Sequence, residues 1–327
     1  MIRDVDPGPS APGDDDGEGE APSGRSSLVN RLLQARDRPK SPWLLVVAVA
    51  LFLVFTLAGF TNLPHIDKPV RWELILVAGL VCVPLITALN ALEYRVMAHF
   101  ADHHPPVLEI LQVSIMGSAA NLLPVPGAVV VRLANLRKAG VRVAKGLNLT
   151  AIVGLTWVGA ACAVGGIAEM WSHTAFAITA LAIGVGLLGI AIVMLARIVE
   201  SGNRLAGALE LMAIETAFVL MQAFRLFLIA SALRFNVSFA QATTLVIAVV
   251  SAAAIGFLPA GLGAREAIAA VLSPIVGFPA AVGLVITAVD RVINLAVLSV
   301  FAGIITLATR RERRATAMAA GPQISPD

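Results

Sequence analysis

The chain has 327 residues, of which 58% are hydrophobic and only 14% charged, with a mean hydropathy of +0.85. Soluble domains carry about 25% charged residues, so this balance excludes an ordinary soluble domain and predicts an all-α polytopic membrane protein. The net charge of +3 and a pI near 9.2 do not point to nucleic acid, because the basic residues form short clusters beside apolar runs, where membrane orientation explains them.

Residues 1–40 are rich in Pro, Gly and Ser and contain the acidic run Asp14-Asp15-Asp16 with Glu18 and Glu20. Such a segment buries no core and is expected to form a disordered tail. The basic, apolar and small-residue regions of a signal peptide do not occur in that order near Met1, so the first apolar run is expected to stay as an anchor. Full spans are predicted at about 42–61, 72–93, 149–171, 175–196, 206–233 and 280–308. Residues 41–309 then form the transmembrane domain and 310–327 a basic tail. Cys82 and Cys162 fall inside apolar runs, where they read as small buried hydrophobes.

Two apolar pieces remain, and both are interrupted. The first, about 107–131, is broken by Pro124, Pro126 and Gly127; the second, about 239–277, by Pro259, Gly261 and Gly263. Non-helical backbone at such depth is tolerated only where protein or a water-filled cavity satisfies its polar groups.

Charge bias orients the chain. Arg31, Arg36, Arg38 and Lys40 precede the first span and Arg310, Arg311, Arg313 and Arg314 follow the last, so both ends are expected in the cytoplasm. Arg132, Arg137, Lys138, Arg142 and Lys145 place their segment inside, whereas the link at Ser172, His173 and Thr174 lacks Lys and Arg and belongs outside. Threading six spans through these points makes the first broken piece a re-entrant hairpin from the cytoplasmic face and the second one from the outer face. The expected architecture is thus an inverted-topology repeat with two re-entrant or broken helical hairpins. The second piece is also long enough for two crossings, so the count runs from six to eight.

The candidate site residues are charges inside apolar sequence. Arg265 and Glu266 follow the Gly-x-Gly turn, where a helix start would aim its amides at an anion near mid-membrane; the bland alternative is a surface helix cap. Asp290 and Arg291 lie within the last span and Arg225 within the span before the second break. A charge at such depth costs about 2.5 kcal/mol or more, so each calls for a partner, either a substrate or an internal pair such as Asp290 with Arg225. Gln222, one turn before Arg225, extends either version. Glu210 and Glu215 are placed at the interface by their position near a helix start, with a proton-coupling role as the alternative. Asn121 and Asn294 are read as repairing unwound backbone or meeting a headgroup. His99, His103 and His104 read as a solvated loop rather than a metal site, and no cofactor motif occurs. Gly154, Gly159, Gly165, Gly166, Gly184, Gly186 and Gly189 read as close helix packing.

Pro259, Gly263, Arg265 and Glu266, followed by Gly277 and Arg291, resemble the P-x-x-x-G-x-R-E, then G, then R pattern of the lysylphosphatidylglycerol synthase transmembrane region, a flippase-like family. Asn121-Leu122-Leu123-Pro124 with Gly127 and Arg132 is similar to that family's first motif, and the resemblance covers about 42–309. Ala128 departs from it, since family members commonly have Glu there. The family's synthases also carry a soluble aminoacyl-transferase domain, so a chain stopping at Asp327 implies the translocating module without the enzyme.

The expected function is a flippase-like protein of the bacterial inner membrane. It would move an aminoacyl-phosphatidylglycerol type phospholipid or a polyprenyl-phosphate glycolipid between leaflets. Arg265, Arg291, Arg225, Asp290, Glu266, Arg132 and Asn121 would form the site, and a separate aminoacyl-lipid or glycolipid synthesising enzyme would be the partner. The alternatives are a small-solute or ion-coupled secondary transporter and a non-transporting partner in envelope synthesis. An enzyme is the least favoured reading, because no nucleophile, base and orienting group emerge together.

Overall fold

The computed structural model describes Thr61 and residues 69–120, 127–199, 204–255 and 263–319, all within the unit Ser41–Asp327. The N-terminal tail, the span expected at 42–61 except Thr61, and Asn121, Pro124, Pro126, Pro259 and Gly261 lie outside the described residues.

Among the described residues every regular element is a helix. In chain order these are α1 (Trp72–Phe100), α2 (Val107–Ala120), α3 (Gly127–Lys138), α4 (Val143–Ala168), α5 (Thr174–Ile198), α6 (Arg204–Ala232), α7 (Phe239–Ile255), α8 (Ala264–Ile275) and α9 (Ala280–Ala319). Helices α1, α4, α5, α6 and the stretch Ala280–Phe301 of α9 are long and apolar enough to cross a membrane. They correspond to five of the six expected spans. The other two pieces contain the helix pairs α2–α3 and α7–α8, and the expected breaks at Pro124, Pro126, Pro259 and Gly261 lie outside the described residues. With 12 to 17 residues each, these four helices reach about 18–26 Å, less than a ~30 Å hydrocarbon core. The two members of each pair pack against each other. Helix α9 differs from expectation at its end: the backbone stays helical to Ala319, through the basic cluster assigned to a tail.

Helix α1 contains a π-helical turn at Ala78–Cys82, and its cause is local. Pro84 has no N–H to give and its ring crowds the carbonyl four residues back, so the chain widens just before it. The wide turn packs on α6 and α9, with Gly79 leaving only 3.2 Å between an added Cβ and Ile293.

Burial organises the bundle around two apolar cores. One gathers Ala78, Cys82, Ala160, Val219, Leu226, Leu245, Val276 and Ile286. The other gathers Tyr94, Met97, Leu136, Leu149, Ile152, Leu195 and Leu211. Helices α1, α4 and α6 contribute to both. Outside them, Leu80, Ile183, Val185, Val193 and Val300 are exposed large apolar residues, a surface that suits lipid rather than water.

The glycine runs divide. Gly159, Gly166 and Gly184 hold α4 and α5 so close that a Cβ on any of them would come within 2.9 Å of the neighbouring helix, and Gly165 does the same toward α7 at 3.0 Å. Gly154, Gly186 and Gly189 face open space and have no packing role of this kind, which corrects the uniform reading.

Candidate functional site

Five charged side chains on three helices meet inside the first core. Helix α8 begins where the Gly-x-Gly turn ends. Gly263 has φ +81, which a side chain would strain, and its N–H donates to Glu266 Oε2 at 3.0 Å, closing the first turn. Two turns along α8, Ser273 meets Gly283 of α9 so closely that an added Cβ would overlap Ser273 Oγ. The helices are joined by a tight turn in which Phe278 N–H donates to Ser273 O at 3.1 Å and Gly277, at φ +87, supplies the left-handed residue. Because the two run back along each other from that contact, stepping two turns toward the start of α8 reaches Arg265 and Glu266. Stepping two turns forward along α9 reaches Asp290 and Arg291. The register alone brings the four charges to one level.

There Asp290, fully buried, is shared by two cations. Arg225 Nε of α6 lies 2.6 Å from Asp290 Oδ1 and its Nη2 donates to Oδ2 at 3.0 Å, while Arg265 Nη2 also donates to Oδ2. Gln222 approaches the same oxygen at 3.4 Å, and Arg225 Nη1 donates to Asn294 Oδ1 at 3.1 Å. Arg291 Nη1 stands 3.2 Å from Glu266 Oε1. The surface-cap alternative for Arg265 and Glu266 is thereby removed: they are 8% and 0% exposed. Glu266 does cap its helix, but inside the bundle. Asn294 serves Arg225 rather than unwound backbone.

Among the described residues, three guanidinium groups face two carboxylates, a surplus of one positive charge. Arg265 Nε is buried with no hydrogen-bond partner among the described residues. An unsatisfied charged donor of this kind in a dry interior is a ready site for an anionic oxygen.

The structure separates Arg132 from this group and gives it other company. Arg132 on α3 donates to Glu93 Oε1 of α1, and both are largely buried. Glu215 of α6, 1% exposed, acts electrostatically on both. Beside them Asn135 donates to Tyr94 Oη at 3.0 Å and to Glu109 Oε1 at 2.6 Å. Glu215 and Arg225 are ten residues apart on α6, so the two clusters stand about 15 Å apart along it. Glu210 is exposed, as an interfacial residue would be, but Glu215 is not, and the interfacial reading fails for it.

Glu93 was missed from sequence because it sits at the last position of the predicted span, where a charge looks interfacial; α1 continues seven residues further and carries Glu93 inside. The signal available was Glu93 and Tyr94 together, an acid and the chain's only tyrosine, with Val96, Met97, Ala98 and Phe100 still apolar beyond them. The histidines form local contacts: His99 packs edge-on to His104 with ring centres 4.9 Å apart, and His103 faces Glu109 at 3.8 Å.

Helices of this length and apolarity, with buried charges paired inside them, make the protein a multi-pass integral membrane protein. Residues 204–302 match the family model described as the lysylphosphatidylglycerol synthase TM region, the same family that the Pro259 to Arg291 pattern resembles. The match contains Arg225, Arg265, Glu266, Asp290 and Arg291. No curated protein matches the chain.

Proposed function

We propose that the protein moves a lipid with an anionic phosphate headgroup between the leaflets of a bacterial inner membrane, with both termini in the cytoplasm. The observation that carries this reading is the buried cluster of Arg225, Arg265 and Arg291 around Asp290 and Glu266, with its surplus charge and its unpartnered Arg265 N–H. A phosphate entering there takes the donors that the carboxylates now occupy. Charge-assisted bonds from guanidinium groups suit phosphate geometry, and Asp290 and Glu266 keep the arginines charged and placed while the site is empty.

In this reading the two broken pieces, α2–α3 and α7–α8, are hairpins of an inverted repeat that open the site toward opposite faces in turn. The lipid is of the aminoacyl-phosphatidylglycerol or polyprenyl-phosphate type, made by a separate enzyme; the chain itself does no chemistry on it.

Native mass spectrometry of the purified protein tests the substrate class. An anionic phospholipid or polyprenyl-phosphate lipid is expected to co-purify with the wild type and to be lost from Arg265→Ala. A protein that retains a small solute and no phosphate-bearing lipid would move the assignment to a solute carrier.

A further inference from the structure

We propose that Glu215, with Glu93 and Arg132, forms a proton-binding site whose loading and unloading drives the movement proposed above; the coupling, though not the proton site itself, rests on that reading. Two buried carboxylates stand around a single guanidinium. Glu93 holds Arg132 through a direct hydrogen bond. Glu215 has no share in that bond, and its Oε1 is buried without a hydrogen-bond partner. The group is thus one positive charge short, in the middle of the apolar helix Leu205–Ala232. A proton on Glu215 removes the deficit and adds an O–H where an oxygen now stands alone.

Among the described residues, no other cation is placed to do this. The groups acting on Glu215 are Glu93 from α1 and Arg132 from α3. Of the other helices packed on α6, α7 has no charged residue, α4 has only Lys145, which is bonded to Asp102, and α5 has only Arg197, close to its far end. Asp290 and Arg291 of α9 belong to the cluster around Arg225, and the next charges on α9, from Arg310 to Arg314, begin 19 residues further along the helix. On α1, Glu73 lies more than five turns from Glu93, and Arg95 is exposed.

The exchange is a competition for Arg132. With Arg132 on Glu93, Glu215 holds the proton as a neutral acid. When α3 shifts so that Arg132 reaches Glu215, the O–H bond breaks, the proton leaves to water and the carboxylate pairs with the guanidinium. Arg132 rides on the second arm of the first broken piece, so the position of that arm and the protonation of Glu215 are two readings of one state. Glu215, Gln222 and Arg225 are spaced by seven and three residues, which lines them along one face of α6. The same face therefore carries the proton site and the cation that faces Asp290.

Infrared titration of the full-length protein in phosphatidylglycerol and phosphatidylethanolamine vesicles tests the site without reference to transport. The wild type is expected to show a protonated-carboxyl C=O band that bleaches as pH rises and is absent from Glu215→Gln. Glu93→Gln leaves Arg132 to Glu215 and is expected to shift that bleaching to lower pH, whereas Glu109→Gln leaves the band in place. A band unaffected by Glu215→Gln overturns the proton site, as does a dependence on sodium without a carboxyl band.

Movement of fluorescent NBD-phosphatidylglycerol in the same vesicles, under an imposed pH gradient, tests the coupling. The wild-type rate is expected to follow the gradient and the Glu215→Gln rate to ignore it. Wild-type movement indifferent to the gradient overturns the coupling. No lipid movement by the wild type under any gradient overturns the proposed function instead, and the infrared band then decides the proton site separately.

Discussion

At the residue scale, the ion pairs of this protein differ by what surrounds them. Asp102 and Lys145 meet at 2.9 Å, but the Asp102 side chain is 89% exposed. Lys145 holds the Asp102 carboxyl below the usual range, so the pair contributes above the ordinary carboxylate pKa and is lost as pH falls through the lowered one. Water on every side keeps that contribution small. Asp290 is the opposite case. It lies between Arg225 and Arg265 with no access to solvent, and its removal leaves two guanidinium groups facing each other in an apolar core. Breaking a buried pair by deleting one member costs about 3–5 kcal/mol. Thermal unfolding in detergent is accordingly expected to fall sharply for Asp290→Ala and to stay unchanged for Lys145→Ala; equal, small shifts for both would contradict this account of the cluster.

At the element scale, the site depends on how closely α8 and α9 approach. Gly283 permits the contact with Ser273, and that contact sets the register of Arg265 and Glu266 against Asp290 and Arg291. Gly283→Ala forces a Cβ toward Ser273 Oγ and to 3.1 Å from Ala269 O, so α8 must move outward. Overpacking of this kind costs about 1–3 kcal/mol. The expected outcome is a lower unfolding temperature together with loss of bound lipid in native mass spectrometry, although position 283 touches neither charge cluster. Full lipid binding by the variant would show that the register has slack.

The elements themselves were largely legible in the sequence. Long apolar runs at 72–93, 149–171, 175–196, 206–233 and 280–308 became helices because length and apolarity decide a membrane span almost without help from tertiary contacts. Gly263 and Arg265-Glu266 were legible for a related reason: a positive-φ glycine and charges at depth have few explanations in such surroundings. Glu93 and Glu215 were not legible in the same way. Both lie on long helices, where their depth depends on the far end of the helix, and a shift of a few residues in that end turns an interfacial acid into a buried one. Nor does a sequence show that Arg132, close to its own broken segment, spends its charge on Glu93 from another helix.

At the scale of the whole molecule, the described part of the chain carries two polar clusters of opposite surplus, each set in its own apolar core. Arg225, Arg265 and Arg291 outnumber Asp290 and Glu266, while Glu93 and Glu215 outnumber Arg132. Helix α6 runs through both and joins them by one continuous helix. Such an arrangement costs stability at each cluster, since both need an added ion to reach balance. On the proposed reading, an anionic headgroup at the first and a proton at the second would supply those ions.

The central claim is that the Arg265 cluster carries a phosphate-bearing lipid across the membrane. The most direct measurement is the dithionite-accessible fraction of NBD-phosphatidylglycerol over time in sealed vesicles reconstituted with the wild type or with Arg265→Ala. Asp290 keeps Arg225 in the variant, so Arg265→Ala is expected to insert and fold, yet to leave the lipid in its starting leaflet while the wild type redistributes it. Redistribution at the wild-type rate by the folded variant would contradict the account.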